Sequence, residues 1–188
     1  MLSDLQKQLG RLFHRSLHKH TIHFKSLKRN QIITLTQTAS QRILLIGELT
    51  AEMQLMPDLV AYVDGGCLGN PGPSGIGVLI DGGEAGPVRI SKWIGHQDNN
   101  VAEYMALLEA LQYAVTLGAK TLHVFSDSQV VVRQMQGEYV CRSPRLYSLN
   151  WTCRKLARAL KFSISHVPRE DNGEANRLAH GAALSYQL

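Results

Sequence analysis

Acidic residues are nearly missing from the first 47 residues, where Asp4 stands alone before Glu48. Aromatic residues make up only 6% of the chain. No apolar run approaches the roughly 18 to 20 residues that a membrane helix needs. The three cysteines, Cys67, Cys141 and Cys153, match no metal-ligand spacing and cannot all pair, which favours a reducing compartment. These shortages exclude a membrane-spanning helix and a fold held by disulfides.

What is present describes a globular chain with room for one full domain and an appendage. The 188 residues are 44% hydrophobic and 19% charged, with a net charge of +5. Residues 1–58 hold eight Lys/Arg against four Asp/Glu, whereas residues 59–188 hold twelve against eleven. We therefore predict a basic N-terminal extension of unknown fold over 1–58, suited to contact with phosphate, and a nearly neutral domain over 59–188.

Strand and helix patterns alternate along the second part. Buried-strand patterns, turn signals and helical periods predict an α/β fold, with a mixed five-stranded sheet and helices on both faces. The predicted strands are 59–66, 76–80, 88–94, 122–125 and 162–167. The predicted helices run from a cap at Asn99 to Leu117, from Ser128 to Met135, over 144–160 and over 173–185.

Three acids stand where such a fold would expose them. Asp64 and Asp127 each follow a buried-strand pattern, and Glu103 lies at the start of a predicted helix. Acids at the ends of buried strands are costly unless positive charge lies between them. Two divalent cations would supply that charge, and two-metal sites commonly cut phosphodiesters.

Each acid also has a simpler interpretation. Asp64 could satisfy the backbone amides of a turn at Gly65 and Gly66. Glu103 could be a solvated first-turn acid favoured by the helix dipole. Asp127 could cap the helix that follows it.

The motifs around these acids resemble those of ribonuclease H, type one. The resemblance covers about residues 59–186, and five motifs occur in order. They are Asp64-Gly-Gly-Cys-Leu-Gly-Asn-Pro-Gly, Asn99-Asn100-x-x-Glu103, Ser126-Asp127-Ser128-Gln129, His166-Val-Pro-Arg-Glu and Ala175-Asn176-Arg-Leu-Ala.

The resemblance implies a metal site with two Mg²⁺ ions, for which Mn²⁺ could substitute. It assigns Asp64 to both ions, and Glu103 and Asp127 to one each. His166 would assist proton transfer or product departure. The fourth metal position carries an acid in the family but is Asn176 here, which keeps one carbonyl oxygen and loses the charge.

Three explanations of that asparagine remain open. Asn176 is a tolerated natural variant, an engineered substitution that traps substrate, or a position whose acid is replaced by Glu174 or Asp171 nearby. The asparagine is expected to weaken the occupancy of one metal and to lower activity in Mg²⁺, which a more tightly binding metal would restore.

The family's substrate positions carry over as well. They are Asn70, Gly75, Asn99 and Gln129 for the RNA strand, and Asn100, Ser128 and, more loosely, Cys67 for the DNA strand. Trp151 is at helical spacing, which favours a core position over a platform for bases.

The resemblance thus implies an endonuclease that cuts the RNA strand of RNA–DNA hybrids, with a catalytically weakened hybrid-binding protein as the alternative. Neither a membrane nor an organic cofactor is expected, and the protein should act as a monomer. The cytoplasm is the expected location, or an organelle if residues 1–47 are a transit peptide. Residues 1–58 lack Trp and Tyr, so no hybrid-binding module is indicated. The connection 136–143 is too short for the basic protrusion of some relatives, so we expect the N-terminal extension to supply that affinity.

Overall fold

The computed structural model describes residues 22–25, 32–35, 56–83 and 86–185. The chain divides into two units, residues 1–54 and 55–188. In the first unit, strands β1 (Ile22–Lys25) and β2 (Ile32–Leu35) pair antiparallel. Most of the predicted basic extension lies outside the described residues, so its role stays a prediction.

A mixed five-stranded sheet forms the centre of the second unit, as predicted. Its order is β5-β4-β3-β6-β7, with β3, β4 and β5 antiparallel and β6 and β7 parallel to β3. The strands are β3 (Asp58–Cys67), β4 (Gly72–Asp81), β5 (Val88–Gln97), β6 (Thr121–Ser126) and β7 (Lys161–His166).

The strands around the glycine-rich loop are longer than predicted. Asp64 does not end β3, which continues to Cys67, and β4 begins at Gly72 rather than Ile76. Gly66 pairs with Gly75 and Cys67 with Ser74, so backbone pairing extends into the segment whose glycines and prolines predict a loop. Turn composition was misleading there because ladder hydrogen bonds outweigh local preference.

Four helices complete the unit. They are α1 (Asn99–Leu117), α2 (Gln129–Gln136), α3 (Pro144–Ala157) and α4 (Gly173–Leu184), the last preceded by a 3-10 turn at Arg169–Asn172. The predicted cap at Asn99 is wrong by one residue, because Asp98 is the N-cap and its side chain accepts a hydrogen bond from the Val101 N–H. Gly118 ends α1 with a φ of 72°.

The helices cover both faces of the sheet. A Cβ at Gly65 would lie 2.0 Å from the Ala102 carbonyl carbon in α1, whereas a Cβ at Gly77 would lie 2.0 Å from the Ala175 carbonyl oxygen in α4. Gly77 pairs with Asp64, the neighbour of Gly65, and neighbouring residues in a strand point to opposite faces. Helices α1 and α4 therefore lie on opposite sides, and the predicted two-sided arrangement is confirmed.

The large side chains of the core lie on the α1 side. They are contributed by alternate positions of the strands and by α1, among them Leu59, Val63, Ile76, Val124 and Leu107. A buried polar link joins three helices within this layer. The Tyr104 hydroxyl in α1 donates to Gln134 Oε1 in α2 at 2.6 Å, and Asn150 Nδ2 in α3 donates to that hydroxyl at 2.9 Å.

The described residues contain no helix long and apolar enough to cross a membrane.

Strands β3 and β6 run parallel and reach the same edge of the sheet. Val63 pairs with Ser126, so the next residues, Asp64 and Asp127, come side by side at that edge.

Candidate active site

Three carboxylates meet at this edge. Asp64, Glu103 and Asp127 each place one oxygen within 4.8 Å of the others. Asp64 and Glu103 are buried, and the Asp127 side chain is 9% exposed. The three acids are tens of residues apart in the sequence, and the fold brings them together at the edge of the sheet, as predicted.

Glu103 reaches the cluster because Gly65 lets α1 approach the sheet. The missing Cβ at Gly65 leaves room for the backbone of Ala102 and Glu103, and the Gly65 N–H donates to Glu103 Oε2 at 3.2 Å. The alternative of a solvated first-turn acid is wrong, because Glu103 is only 6% exposed. The turn interpretation of Asp64 is wrong too, since the amide of Gly65 is bound by Glu103 and Asp64 lies inside a strand.

Asp127 is held by the turn that precedes α4. Asn172 Nδ2 donates to Asp127 Oδ1 at 3.1 Å and to the Val63 carbonyl oxygen at 2.9 Å. The Arg169 guanidinium lies 3.9 Å from Asp127 Oδ2. Asp127 does not cap α2, because Ser128 is the N-cap and its hydroxyl accepts from the Val131 N–H. The capping alternative is therefore wrong.

The clustered charges favour protons or cations. Burial, and then the neighbouring charge of Asp127, raises the pKa of Asp64 to about 7. Burial and the charges of Asp64 and Asp127 raise the pKa of Glu103 well above its usual range, against an opposing effect of the Gly65 N–H and Arg169. A group of acids in this state binds a divalent cation by exchanging it for protons.

Asn176 lies against the same cluster. Its Nδ2 donates to the Asn172 carbonyl oxygen at 2.9 Å and lies 3.5 Å from Asp127 Oδ2. Both contacts use the amide nitrogen, so the side-chain oxygen Oδ1 takes no part in them. Within the part of the chain that the structure describes, the side-chain oxygens of Asn172 and Asn176 are buried without a hydrogen-bond partner.

Neither neighbouring acid replaces the missing charge. Glu174 Oε1 forms an ion pair with Arg89 Nε at 2.6 Å at the edge strand β5, and Asp171 is exposed to solvent. Sequence reasoning missed Asn172, which is 1% exposed and ties β3 to Asp127. Its spacing of four residues before Asn176, one turn of helix, was the available signal.

The donor set fits a hard divalent cation. Carboxylate and amide oxygens are the ligands that Mg²⁺ prefers in proteins, and Mn²⁺ accepts the same set. Buried oxygens without partners are expected where an ion or its water completes their coordination. The metal would be held by Asp64, Glu103, Asp127 and Asn176. The Asn172 oxygen belongs to a residue four positions before Asn176.

His166 and Gln129 border a groove beside the cluster. His166 ends β7 and is exposed, and Gln129 begins α2. Both line a cavity of about 190 Å³, together with Val132, Arg133, Gln136 and Glu138. The groove offers these two predicted residues to the same ligand, and their roles stay predictions.

Three of the predicted substrate-binding residues, Cys67, Asn70 and Asn99, lie close together. Cys67 Sγ is 4.0 Å from Asn70 Oδ1 and 3.8 Å from Asn99 Oδ1, and the Asn99 N–H donates to Asn70 Oδ1 at 3.2 Å. The peptide bond between Asn70 and Pro71 is cis. Burial raises the pKa of the Cys67 thiol, with the charge of Asp98 as the second cause.

The remaining substrate positions are more dispersed. Asn100 is exposed in the first turn of α1, and Ser128 caps α2. Gly75 is buried under α4, where a Cβ would lie 2.5 Å from the Ala179 carbonyl oxygen. Helix packing therefore requires glycine at that position, and its contact with a hybrid stays a prediction.

Trp151 is not a core residue. It is 56% exposed on α3, and the interpretation that placed it in the core is wrong. Helical spacing alone misled because both faces of a surface helix carry that period.

Comparison with known proteins places this site in a family. A family model described as reverse transcriptase-like matches residues 62–182. Ribonuclease HI of Halobacterium salinarum is 38% identical over 124 residues, which are 65% of this chain and 62% of that protein. The bifunctional protein Rv2228c of Mycobacterium tuberculosis is 39% identical over 127 residues, 66% of this chain and 35% of that protein. The chain thus spans less than two thirds of these curated relatives.

Solved structures agree. The N-terminal ribonuclease H domain of Rv2228c superposes with a TM-score of 0.63 at 38% identity, over 67% of this chain and 98% of that one. LC11-RNase H1, solved in complex with an RNA/DNA hybrid, gives a TM-score of 0.65 at 34% identity, over 70% of this chain and all (100%) of that one. The five-stranded sheet, the acids at its edge and these matches show that the chain belongs to the ribonuclease H-like superfamily.

Proposed function

We propose that the protein is a metal-dependent endonuclease that hydrolyses the RNA strand of RNA–DNA hybrids by a two-metal mechanism. The observation that carries this proposal is the convergence of Asp64, Glu103 and Asp127 within 4.8 Å. It is supported by the relatives named as ribonucleases H and by LC11-RNase H1, which was solved with a hybrid bound.

Divalent cations in this site would activate the attacking water and neutralise charge on the phosphate oxygens. Asp64, Glu103, Asp127 and Asn176 would hold them. Asn172 keeps the Asp127 carboxylate in place from one side, and Arg169 offsets part of the negative charge before a metal binds. Asn176 contributes a neutral oxygen where the family pattern has an acid, so the site attracts a cation less strongly.

His166 is the residue best placed to move a proton. It is exposed at the rim of the groove that Gln129 shares, and an imidazole ring can both accept and donate a proton. A proton can therefore pass between His166 and the leaving 3′ oxygen or the solvent.

The cluster of Cys67, Asn70 and Asn99 would read the hybrid. Amide side chains both donate and accept hydrogen bonds, which suits a 2′-hydroxyl that does the same. Asn100 and Ser128 would contact the DNA strand. One chain contains all these positions, so the proposal requires no second copy.

A second candidate function follows from Asn176. With one acid fewer, the protein could bind hybrids and cut them very slowly. The orientation of Asn176 bears on this, because its donor faces Asp127 and its oxygen has no partner. An oxygen placed in this way favours a weakened metal ligand over a disabled site.

The test is cleavage of a labelled RNA–DNA hybrid in Mg²⁺ and then in Mn²⁺, comparing the chain with Asn176→Asp. We expect the chain to cut. Replacing Mg²⁺ with Mn²⁺ should raise its cleavage rate by a larger factor than it raises the rate of Asn176→Asp. Asp64→Asn serves as the inactive control, with a loss of at least about 100-fold. Calorimetric titration with Mg²⁺ gives the affinities independently.

Cleavage that appears only with Asn176→Asp would leave the hybrid-binding function for this chain. Failure of both proteins to cut, with hybrid binding retained, would overturn the nuclease proposal.

A further inference from the structure

A surface of α3 combines positive charge with exposed aromatic rings. Residues 139–169 contain seven Lys/Arg and no Asp or Glu, although the whole of residues 59–188 is nearly neutral. Within this stretch Trp151 is 56% exposed and Tyr147 is 63% exposed. We define the α3 surface as Arg142, Arg145, Tyr147, Trp151 and Lys155, each of them exposed.

The two rings lie on one side of the helix. Tyr147 and Trp151 are four residues apart, which places them one turn apart on the same side. Lys155 continues the row, and its Nζ lies 5.2 Å from the centre of the Trp151 ring. The opposite side of α3 is turned to the core through Leu146, Asn150 and Cys153. The rings are thus not needed for packing.

The α3 surface begins at the rim of the candidate active site. Arg145 Nη1 forms an ion pair with Asp98 Oδ2 at 3.0 Å, and Asp98 caps α1 directly before Asn99 and Asn100. From there Tyr147, Trp151 and Lys155 extend along about two turns of helix, or roughly 12 Å. A strand that leaves the site at Asn99 would therefore meet the α3 surface.

The chemistry of this surface favours a nucleic acid over a protein. Tyr, Trp and Arg are also enriched at protein interfaces, but an excess of positive charge over a stretch without Asp or Glu is typical of surfaces that bind nucleic acids. Arginine and lysine attract phosphates, and aromatic rings stack on bases.

We propose that the α3 surface binds the single-stranded nucleotides that continue from a hybrid held in the active site. Bases inside a duplex are stacked on each other and cannot present their faces to rings on a convex helix, whereas unpaired bases can. The rings stand about 6 Å apart along the helix, more than the 3.4 Å between stacked bases, so each ring receives a separate base. Arg142 and Lys155, which flank the two rings along the chain, contact the phosphates on either side of these bases.

This surface deepens the proposed function and rests on it for the hybrid, but its binding of an unpaired strand can be measured without cleavage. The first experiment follows the anisotropy of a fluorescent single-stranded DNA of twelve nucleotides in EDTA, using the full chain. We expect Trp151→Ala to raise the Kd by roughly 10-fold and Tyr147→Ala by somewhat less. Arg142→Gln should reduce the salt dependence by about one charge.

Two controls match these changes. Leu117→Ala removes an exposed apolar side chain at the far end of α1, and Lys161→Gln removes a charge from the same acid-free stretch, at the first residue of β7 and outside the α3 surface. Both should leave the Kd for the oligonucleotide within about 2-fold of the original value. A Kd that rises equally in Leu117→Ala and Trp151→Ala would overturn the proposal.

The second experiment compares blunt hybrids with hybrids that carry six unpaired nucleotides at one end of one strand, in all four arrangements. For the original chain, at least one extension should lower KM several-fold without changing kcat, and Trp151→Ala should remove that gain. An equal loss on blunt and extended hybrids would mean that the surface binds duplex, which contradicts the proposal. If no hybrid is cut, the nuclease proposal fails, while the anisotropy result still decides whether the α3 surface binds single strands.

Discussion

The two faces of the central sheet are built in different ways. On the α1 face, large residues such as Leu107, Val63 and Ile76 fill a thick layer under three helices. On the α4 face, Gly75 and Gly77 meet the backbone of α4 directly, and the helix presents small residues to the sheet, which are Ala175, Ala179, Ala182 and Ala183. One face holds its helices through side-chain volume, and the other through close backbone approach.

This difference teaches how the site is assembled. The α1 face supplies Glu103, and the α4 face supplies Asn172 and Asn176, so the acids of β3 and β6 are enclosed from both sides. A thick side-chain layer can repack after a substitution, whereas a backbone contact cannot. We therefore expect substitutions on the α4 face to be tolerated less well, and to displace Asn172 and Asn176 before the acids.

The largest effect is expected from Gly77→Ala. Its Cβ would lie 2.0 Å from the Ala175 carbonyl oxygen and 2.6 Å from the Ala179 nitrogen, so α4 must move away from the sheet. We expect a loss of about 3 kcal/mol or more in the free energy of unfolding, measured with urea.

The matched control is Gly181→Ala in the same helix, where a Cβ meets nothing within 4 Å. That change should stabilise the protein by about 0.5 to 1 kcal/mol. Equal effects of the two substitutions would contradict the role given to close backbone approach.

Next in size is the pH dependence of stability without metal. Asp64, with its pKa raised from 3.8 to about 7, binds its proton more tightly in the folded state than in the unfolded state. Its stabilising contribution is therefore complete below about pH 4 and is lost as the pH rises through 7. In EDTA we expect the Tm to be lower at pH 8 than at pH 5, by on the order of 5 °C.

Asp64→Asn should flatten this dependence, and Asp171→Asn, which changes an exposed acid of the nearby turn, should not. Mg²⁺ should raise the Tm more at pH 8 than at pH 5, because it competes with protons for the same oxygens. A metal-free Tm that rises from pH 5 to pH 8 would show that the acids are not strained by their proximity.

A smaller effect is expected for Tyr104→Phe on the α1 face. Loss of the hydroxyl leaves Gln134 Oε1 and Asn150 Nδ2 without that partner in a buried layer. The cost should be about 1 to 3 kcal/mol in urea unfolding, with hybrid cleavage at saturating metal unchanged. Tyr113→Phe, at a half-buried position of the same helix, is the control and should cost much less. A Tyr104→Phe variant as stable as the original would mean that the polar link between the helices is dispensable.

The smallest effect concerns the ion pair between Arg89 and Glu174 at the edge of the α4 face. Both side chains are substantially exposed, so Arg89→Gln should change the free energy of unfolding by less than about 1 kcal/mol. Urea unfolding at low and high salt measures this, and the difference should shrink with added salt. If Arg89→Gln lowered the free energy of unfolding as much as Gly77→Ala, backbone contacts would not be the dominant ones on this face.

Much of the α1 face could be predicted from the sequence. The continuous apolar runs that give Leu59, Val63 and Val124 predict buried strands, and the helical period predicts α1. The structure buries one face more deeply than the other, since burial alternates along β3 and Val60 is 37% exposed. The α4 face was harder to predict, because glycine and alanine carry little periodic signal. Gly72 to Gly75 suggested a loop, although backbone pairing makes them part of β4.

The sequence by itself determined that Asp64 and Asp127 each come directly after an apolar strand segment, and that Glu103 lies near the start of a helix. The parallel pairing of β3 with β6 brings the two aspartates side by side, and the packing of α1 on the sheet adds Glu103. Only the tertiary structure decided that Asn172 binds Asp127, that the Asn176 oxygen is left without a partner, and that Trp151 faces solvent. The reason is physical: a local pattern determines which way a backbone runs, whereas the partner of a side chain depends on which distant segment the fold places beside it.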